Sequence, residues 1–230
     1  MTNLESSPLS IGFILDGNRR WAKERNLPSL EGHRKGFEKV RELVGWAHER
    51  TIGTVYIYAF STENWNRAPE EVSYLMKLFA EAFTGSLVDD VLAKGGRIVF
   101  LGDRSRLPSE LVSKITETEA QTKNGKGTTL AVCMSYGGRD EIIAATNALI
   151  REGKELVSEA GFKDAMWGAN LPDPDIIVRT SGEQRLSGFL TWQSVYSELF
   201  FTKTKWPDFS ETEFDEILEE YKNRERRRGK

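Results

Sequence analysis

A chain of 230 residues is long enough for one large domain or at most two small ones. Its 39% hydrophobic and 29% charged residues are ordinary for a soluble globular protein, and its net charge of −3 excludes a generic binder of nucleic acid or anionic membranes. Affinity for phosphate groups has to come from a local cluster of arginines.

Residues 1–10 lack the basic-then-apolar layout of a signal peptide and are expected to be flexible. A first strand over Ile11–Leu15 leads into the polar run Asp16-Gly17-Asn18-Arg19-Arg20-Trp21. Phe37, Val40, Val44 and Ala47 then recur at helical spacing. A second strand, Thr54–Phe60, is followed by Ser61-Thr62-Glu63-Asn64-Trp65 and by the helical stripe Val72, Leu75, Met76, Phe79 and Phe83. Further strands are Arg97–Leu101, Thr128–Met134 and Asp175–Val178, the last entered through the Pro-rich turn Leu171–Pro174, and Leu199–Phe201 is a short sixth. Ser210 with Glu213 reads as a capping box opening a helix that carries Phe214, Ile217, Leu218 and Tyr221. Arg224–Lys230 is a basic tail, ordinarily a solvated end.

The strands are apolar nearly throughout, which suits strands buried on both faces. Their alternation with helices predicts one α/β domain over residues 1–230: a central, mostly parallel six-stranded sheet covered by helices on both faces. The only cysteine, Cys133, cannot form an internal disulfide and reads as a buried strand thiol. No apolar stretch reaches bilayer-spanning length, so a cytoplasmic location is expected.

Three distinctive polar segments, at Asp16, Ser61 and Arg179-Thr180-Ser181-Gly182-Glu183, each come directly after a strand, so they converge on one rim of a parallel sheet. Ligands bind there in open α/β folds. Gly17 to Arg20 open a helix whose free amides, with Arg19 and Arg20, make an anion cradle. Neither a G-x-x-x-x-G-K-[ST] loop nor a G-x-G-x-x-G after a strand is present, which disfavours a nicotinamide enzyme. A carboxylate beside phosphate needs a cation between them. Asp16 therefore reads either as a magnesium ligand or as a plain helix N-cap.

The runs Asp16–Ala22, Gly32-His33 with Gly36, Tyr58–Arg67, Arg179–Ser187, Trp192-Gln193, Tyr196-Ser197-Glu198 and Trp206-Pro207-Asp208 resemble the cis-prenyltransferases, in order and over nearly the full length. The resemblance implies an enzyme that condenses isopentenyl diphosphate with an allylic diphosphate to a cis-polyprenyl diphosphate, for a lipid carrier of cell-wall or glycan synthesis. It implies Mg2+ bound by Asp16 and Glu198, with Asp16 and Asn64 catalytic. The donor diphosphate is expected over Gly17, Asn18, Arg19, Arg20 and Trp21, with His33 near. Arg179, Arg185, Leu186 and Ser187 are expected at isopentenyl diphosphate, and Ser61, Thr62, Glu63, Trp65 and Arg67 against both substrates. Two arginines suit a diphosphate because each donates two parallel hydrogen bonds. The resemblance also implies a homodimer, with Arg227 and Gly229 reaching across it, and peripheral membrane contact for product release. No nucleic-acid partner is expected.

By themselves, Trp21 and Trp65 read equally well as packing residues, His33 as a helix-capping residue and the Val72–Phe83 stripe as core. His48 reads as a dipole-complementing residue at a helix end. The chain departs from the family pattern at Arg19, where many long-chain members have glycine; at Ser29, where an arginine is usual; and at Ser135, in place of a common asparagine. The alternatives are a non-catalytic partner subunit, a short-chain cis-prenyl diphosphate synthase, and a phosphohydrolase, for which no nucleophile stands out.

Overall fold

Runs of Val, Ile and aromatic residues form strands because their branched side chains pack well on a pleated surface. The computed structural model describes residues 8–83 and 85–225. Its strands are β1 (Ser10–Ile14), β2 (Thr54–Ser61), β3 (Arg97–Leu101), β4 (Thr129–Tyr136), β5 (Ile176–Arg179) and β6 (Glu198–Phe201). Its helices are α1 (Asn18–Glu24), α2 (Ser29–Glu49), α3 (Pro69–Ala82), α4 (Ser86–Ala93), α5 (Ser109–Thr122), α6 (Gly138–Arg151), α7 (Glu159–Asp164) and α8 (Glu211–Asn223). The six strands lie in the order β3-β4-β2-β1-β5-β6, and every pairing is parallel. The expected mostly parallel sheet is thus wholly parallel among the described residues.

From β1 the chain turns to one side for β2, then returns from β4 to β5 on the other side of β1. The carboxyl end of β1 therefore sits where the strand order reverses, the usual crevice for a ligand. Ile14 is level with Tyr58 and with Arg179, so the loops leaving β1, β2 and β5 emerge on one rim.

The larger core fills one face of the sheet. Val40, Leu43 and Val44 of α2, Phe79 of α3, Leu87 of α4, Ile115 of α5 and Phe214 of α8 pack there on Ile11, Phe13, Val55 and Val132. The opposite face is thinner. Leu171, Phe189 and Leu190, from irregular chain on either side of β5, cover Tyr56, Cys133 and Tyr136. Cys133 is fully buried and burial pushes its thiol pKa up, as an inert strand cysteine requires.

Three expectations need correction. Ser10 is not flexible chain; it belongs to β1, is fully buried, and its N–H donates to Asp175. The capping box at α8 is half formed: Ser210 Oγ accepts the Glu213 N–H, but the Glu213 carboxylate accepts the Thr202 hydroxyl instead. Arg224 is not a solvated tail residue, because it donates to Glu198 and lies 4.0 Å over the Phe200 ring.

The short α1 lies against α2 through two glycines. A Cβ on Gly32 would lie 2.1 Å from the Asn18 carbonyl oxygen, and one on Gly36 would lie 2.2 Å from Asn18 Oδ1. The backbone contact cannot yield without moving the polar run after β1. Gly32→Ala is therefore expected to cost about 1–3 kcal/mol by overpacking, measured by urea denaturation. An unchanged midpoint would contradict this packing.

Candidate active site

The backbone of Asp16 is pinned before its side chain does anything. Its carbonyl oxygen accepts the Thr180 hydroxyl at 2.7 Å and the Trp206 N–H at 3.0 Å. The next residue, Gly17, has φ +105°, and a Cβ there would meet Ser181 Oγ at 2.7 Å, so only glycine makes this turn. Gly17 is the N-cap of α1 and has no side-chain cap. That disposes of the N-cap reading of Asp16. Its carboxylate instead spans two guanidinium groups: Arg179 at 3.0 Å on one oxygen and Arg20 at 3.1 Å on the other.

Arg179, the last residue of β5, has a nearly buried side chain. Its second arm donates to the Arg185 carbonyl and to Ser187 Oγ, the latter at 2.8 Å, and its Nε is buried without a partner. Ser181 and Ser187 both have positive φ, 75° and 50°. Such strain in non-glycine residues persists where the surroundings over-determine it, often at functional sites. Ser135 is likewise left-handed at φ 48°.

On the β2 side, the register slips between Tyr58 and Ser61, a bulge that re-aims the strand end. Ser61 and Asn64 then form a reciprocal capping box, in which Asn64 Oδ1 accepts the Ser61 N–H at 3.1 Å. That bond fixes the amide's orientation and leaves its NH2 free for a ligand.

A second cluster, at the junction of α2 and α3, centres on Glu71, which sequence reasoning misses. Its carboxylate accepts from Arg67 at 2.9 Å, contacts His33 Nε2 at 3.3 Å and lies 3.8 Å from Arg19. The four-residue spacing from Arg67 is its only sequence signal. Burial, then the charge of Arg67, lowers the His33 pKa, so the imidazole is neutral near pH 7.

These groups ring the mouth of a cavity of about 520 Å3. Asp16, Asn18, His33, Asn64, Arg67 and Arg179 line it, as do Ser61, Glu63 and Ser187. Its inner wall is apolar, with Val40, Phe79, Phe83, Leu87 and Val132. A second hollow opens beside it, lined by Asp16, Gly17, Asn18, Arg19, Arg20 and, across from them, Ser29. Since α1 has only seven residues, charge in this hollow comes chiefly from side chains rather than a helix dipole.

Several expected site residues lie elsewhere. Trp21 is buried, donates to Asp208 at 2.7 Å and stacks under Arg25, away from both hollows. Thr62 donates to Asp140, and Trp65 donates to Ser135 and lines a separate groove with Arg106. Leu186 packs on the smaller core. Arg185 stays with the site: it is exposed beside Glu183, and its carbonyl accepts from Arg179 in the loop that also carries Ser187. Arg227 and Gly229 lie outside the described residues.

Glu198 does not meet Asp16. It starts β6 level with Ile176, three residues and so about 10 Å before the level of Arg179, and it is paired with Arg224 at 2.9 Å. Within one chain it cannot share a metal with Asp16. No group of three or more His, Cys, Asp or Glu residues that could hold a metal occurs among the described residues. An all-protein cage therefore does not fit. A magnesium ion on one carboxylate, completed by water and phosphate oxygens, does fit the Asp16 position.

The fold and rim define an α/β enzyme site for an anionic head carrying a long apolar tail. The chain belongs to the cis-prenyltransferase family: residues 14–229 match the family model described as "Putative undecaprenyl diphosphate synthase". It is 44% identical to an isoprenyl transferase of Chromobacterium violaceum, over 97% of this chain and 88% of that one. It is 43% identical to a tritrans,polycis-undecaprenyl-diphosphate synthase (geranylgeranyl-diphosphate specific) of Thermoplasma volcanium, over 97% and 89%. The structure of lavandulyl diphosphate synthase from Lavandula x intermedia, in complex with dimethylallyl diphosphate, superposes with a TM-score of 0.92 at 31% identity, covering 98% of this chain and 100% of that one. The protein is a prenyltransferase.

The His33 environment carries a pH consequence. Its folded pKa lies below its unfolded value, so between the two the unfolded chain binds a proton that the folded chain does not. The His33 contribution is therefore an expected loss of stability as pH falls below about 6.5, absent in His33→Gln. The check is urea midpoints from pH 5 to 8; a pH slope unchanged in His33→Gln would refute it.

Proposed function

We propose that Asp16, Asn64, Arg179, Arg185 and Ser187 carry this chain's reaction, the condensation of isopentenyl diphosphate with an allylic diphosphate to a cis-polyprenyl diphosphate. The observation that supports the reading is the join of a charged rim to an apolar cavity, a diphosphate grip with room for an isoprenoid tail. In the reaction the donor's bond to its diphosphate breaks, a carbon–carbon bond forms to isopentenyl diphosphate, and a proton leaves that acceptor. Asp16 would hold Mg2+, whose charge stabilises the departing diphosphate. Arg19 and Arg20 bind the donor diphosphate above Gly17 and Asn18, and Arg67 and His33 close its side. A diphosphate draws Arg20 and Arg179 away from the Asp16 carboxylate, because each guanidinium then has a doubly charged partner. Arg179, Arg185 and Ser187 bind isopentenyl diphosphate. Asn64, its amide held in place by the Ser61 N–H, orients the acceptor through its NH2, and the lost proton goes to water or phosphate.

A homodimer accounts for the β6 edge. Val195 and Tyr196 are each 71% exposed there, next to the partly exposed Leu199 and Phe201, and a second copy would cover them. Glu198 contributes to a metal only through such a second chain. The product serves as a lipid carrier for cell-wall or glycan synthesis, made by a cytoplasmic enzyme that meets the membrane peripherally to release it. No described helix is long and apolar enough to cross a membrane. The partner-subunit alternative is disfavoured because the metal aspartate and phosphate arginines are all present.

Purified protein with magnesium, radiolabelled isopentenyl diphosphate and donors of several lengths is expected to give labelled lipid, with chromatography fixing its length. No product with any donor would sink the reading. Asp16→Ala is expected to lower kcat/KM by at least about 100-fold with an unchanged circular dichroism spectrum; near-normal turnover would remove Asp16 from the mechanism. Arg19 and Ser29 line one hollow, and Arg19 supplies charge there that Ser29 does not. Ser29→Arg is thus expected to restore the donor KM that Arg19→Gly raises, and additive effects would count against the exchange.

A further inference from the structure

Glu141, in the first turn of α6, is the only acid with no solvent exposure among the described residues, and it lines neither hollow of the site. Burying a carboxylate is costly unless donors surround it. This one accepts from the Tyr136 hydroxyl, from Gln193 Nε2 at 3.0 Å and from the Trp167 N–H at 3.2 Å. The donors come from the end of β4, the stretch before β5, and the loop between β5 and β6. That loop carries Arg185 and Ser187.

The loop needs holding. Ser187, Gly188 and Leu190 have φ of 50°, 77° and 44°, and two of the three are not glycine. Contacts from the same quarter restrain it. Gly138 N–H donates to the Gly188 carbonyl at 2.7 Å. The Tyr58 hydroxyl lies 3.2 Å from the Tyr136 carbonyl and 3.3 Å from that of Ser187, and the Tyr58 ring stacks on Phe189 at 4.9 Å. A Cβ on Gly138 would lie 2.2 Å from Thr191 Oγ1, so the start of α6 sits directly on the loop. Glu141 joins this helix start to both Tyr136 and Gln193.

We propose that Glu141 is a positioning residue for the acceptor substrate: through Gln193 and Tyr136 it fixes the loop that presents Arg185 and Ser187. This rests on reading Arg185 and Ser187 as the grip on isopentenyl diphosphate. The effect passes by geometry, since a guanidinium or hydroxyl displaced by a fraction of an ångström loses aligned hydrogen bonds.

The test compares wild type with Glu141→Ala, Glu141→Gln, Gln193→Leu and, as reference, Arg185→Ala. Each is assayed for KM of both substrates and for amide hydrogen exchange over residues 182–197. Glu141→Ala is expected to raise the isopentenyl diphosphate KM about tenfold or more, Gln193→Leu by roughly threefold and the near-isosteric Glu141→Gln least, with donor KM held within about twofold. Exchange in the loop should quicken about tenfold in Glu141→Ala while α2 and α8 stay as in wild type. Both KM values rising together, or unaltered loop exchange in a folded variant, would overturn the proposal. Should Glu141→Ala fail to fold, Gln193→Leu decides by the same two readouts. If Arg185→Ala leaves the isopentenyl diphosphate KM unchanged, the substrate assignment of the loop fails instead, and loop exchange alone decides whether Glu141 holds it.

Discussion

The ion pair between Asp16 and Arg179 ties the ends of two neighbouring parallel strands, and the rest of the site is arranged around it. Desolvation offsets much of the Coulombic gain of so sheltered a pair, so its value lies in orientation more than stability. One carboxylate oxygen faces Arg179 and the other faces Arg20, which fixes the guanidinium planes before any ligand arrives. Arg179 in turn reaches Ser187, so the loop after β5 is referenced to the end of β1. A chain of contacts then runs through Tyr58 and Tyr136 to Glu141, on the far face of the sheet.

This arrangement separates two demands that would conflict in one place. The rim must hold concentrated charge, and the cavity below must be apolar. The large core face supplies the second, because α2, α3 and α4 stand off the sheet and leave a gap lined by Val40, Phe79 and Leu87. Glycines at positions 32 and 36 let α1 approach α2 closely enough to set Asn18 at the boundary between the two regions. The cluster of Glu71, His33 and Arg67 closes that boundary on the other side, with the imidazole kept neutral by burial and by Arg67.

The strands are legible in the sequence because each is a short apolar run buried on both faces, a pattern that survives without knowledge of neighbours. The polar run after β1 is legible for the same reason, since it interrupts that pattern abruptly. Glu198, which the resemblance sets beside the metal, starts β6 level with Ile176 and away from Asp16, because order along the chain does not say which end of a strand faces the ligand. Trp21 and Trp65 stay open in the sequence because an indole in a polar motif reads alike whether it meets a substrate or packs; here their N–H groups donate to Asp208 and Ser135. Glu71 and Glu141 escape notice because their meaning lies in partners distant along the chain, such as His33 and Gln193.

By itself, then, the sequence determined an α/β sheet with its arginines and Asp16 on one rim, because local periodicity and turn chemistry act over a few residues. Only the tertiary structure decided what Asp16 touches, where the Trp21 and Trp65 indoles donate, and that Glu198 lies away from Asp16 within one chain. Those are questions of long-range pairing, set by strand order and register rather than by any short stretch of sequence.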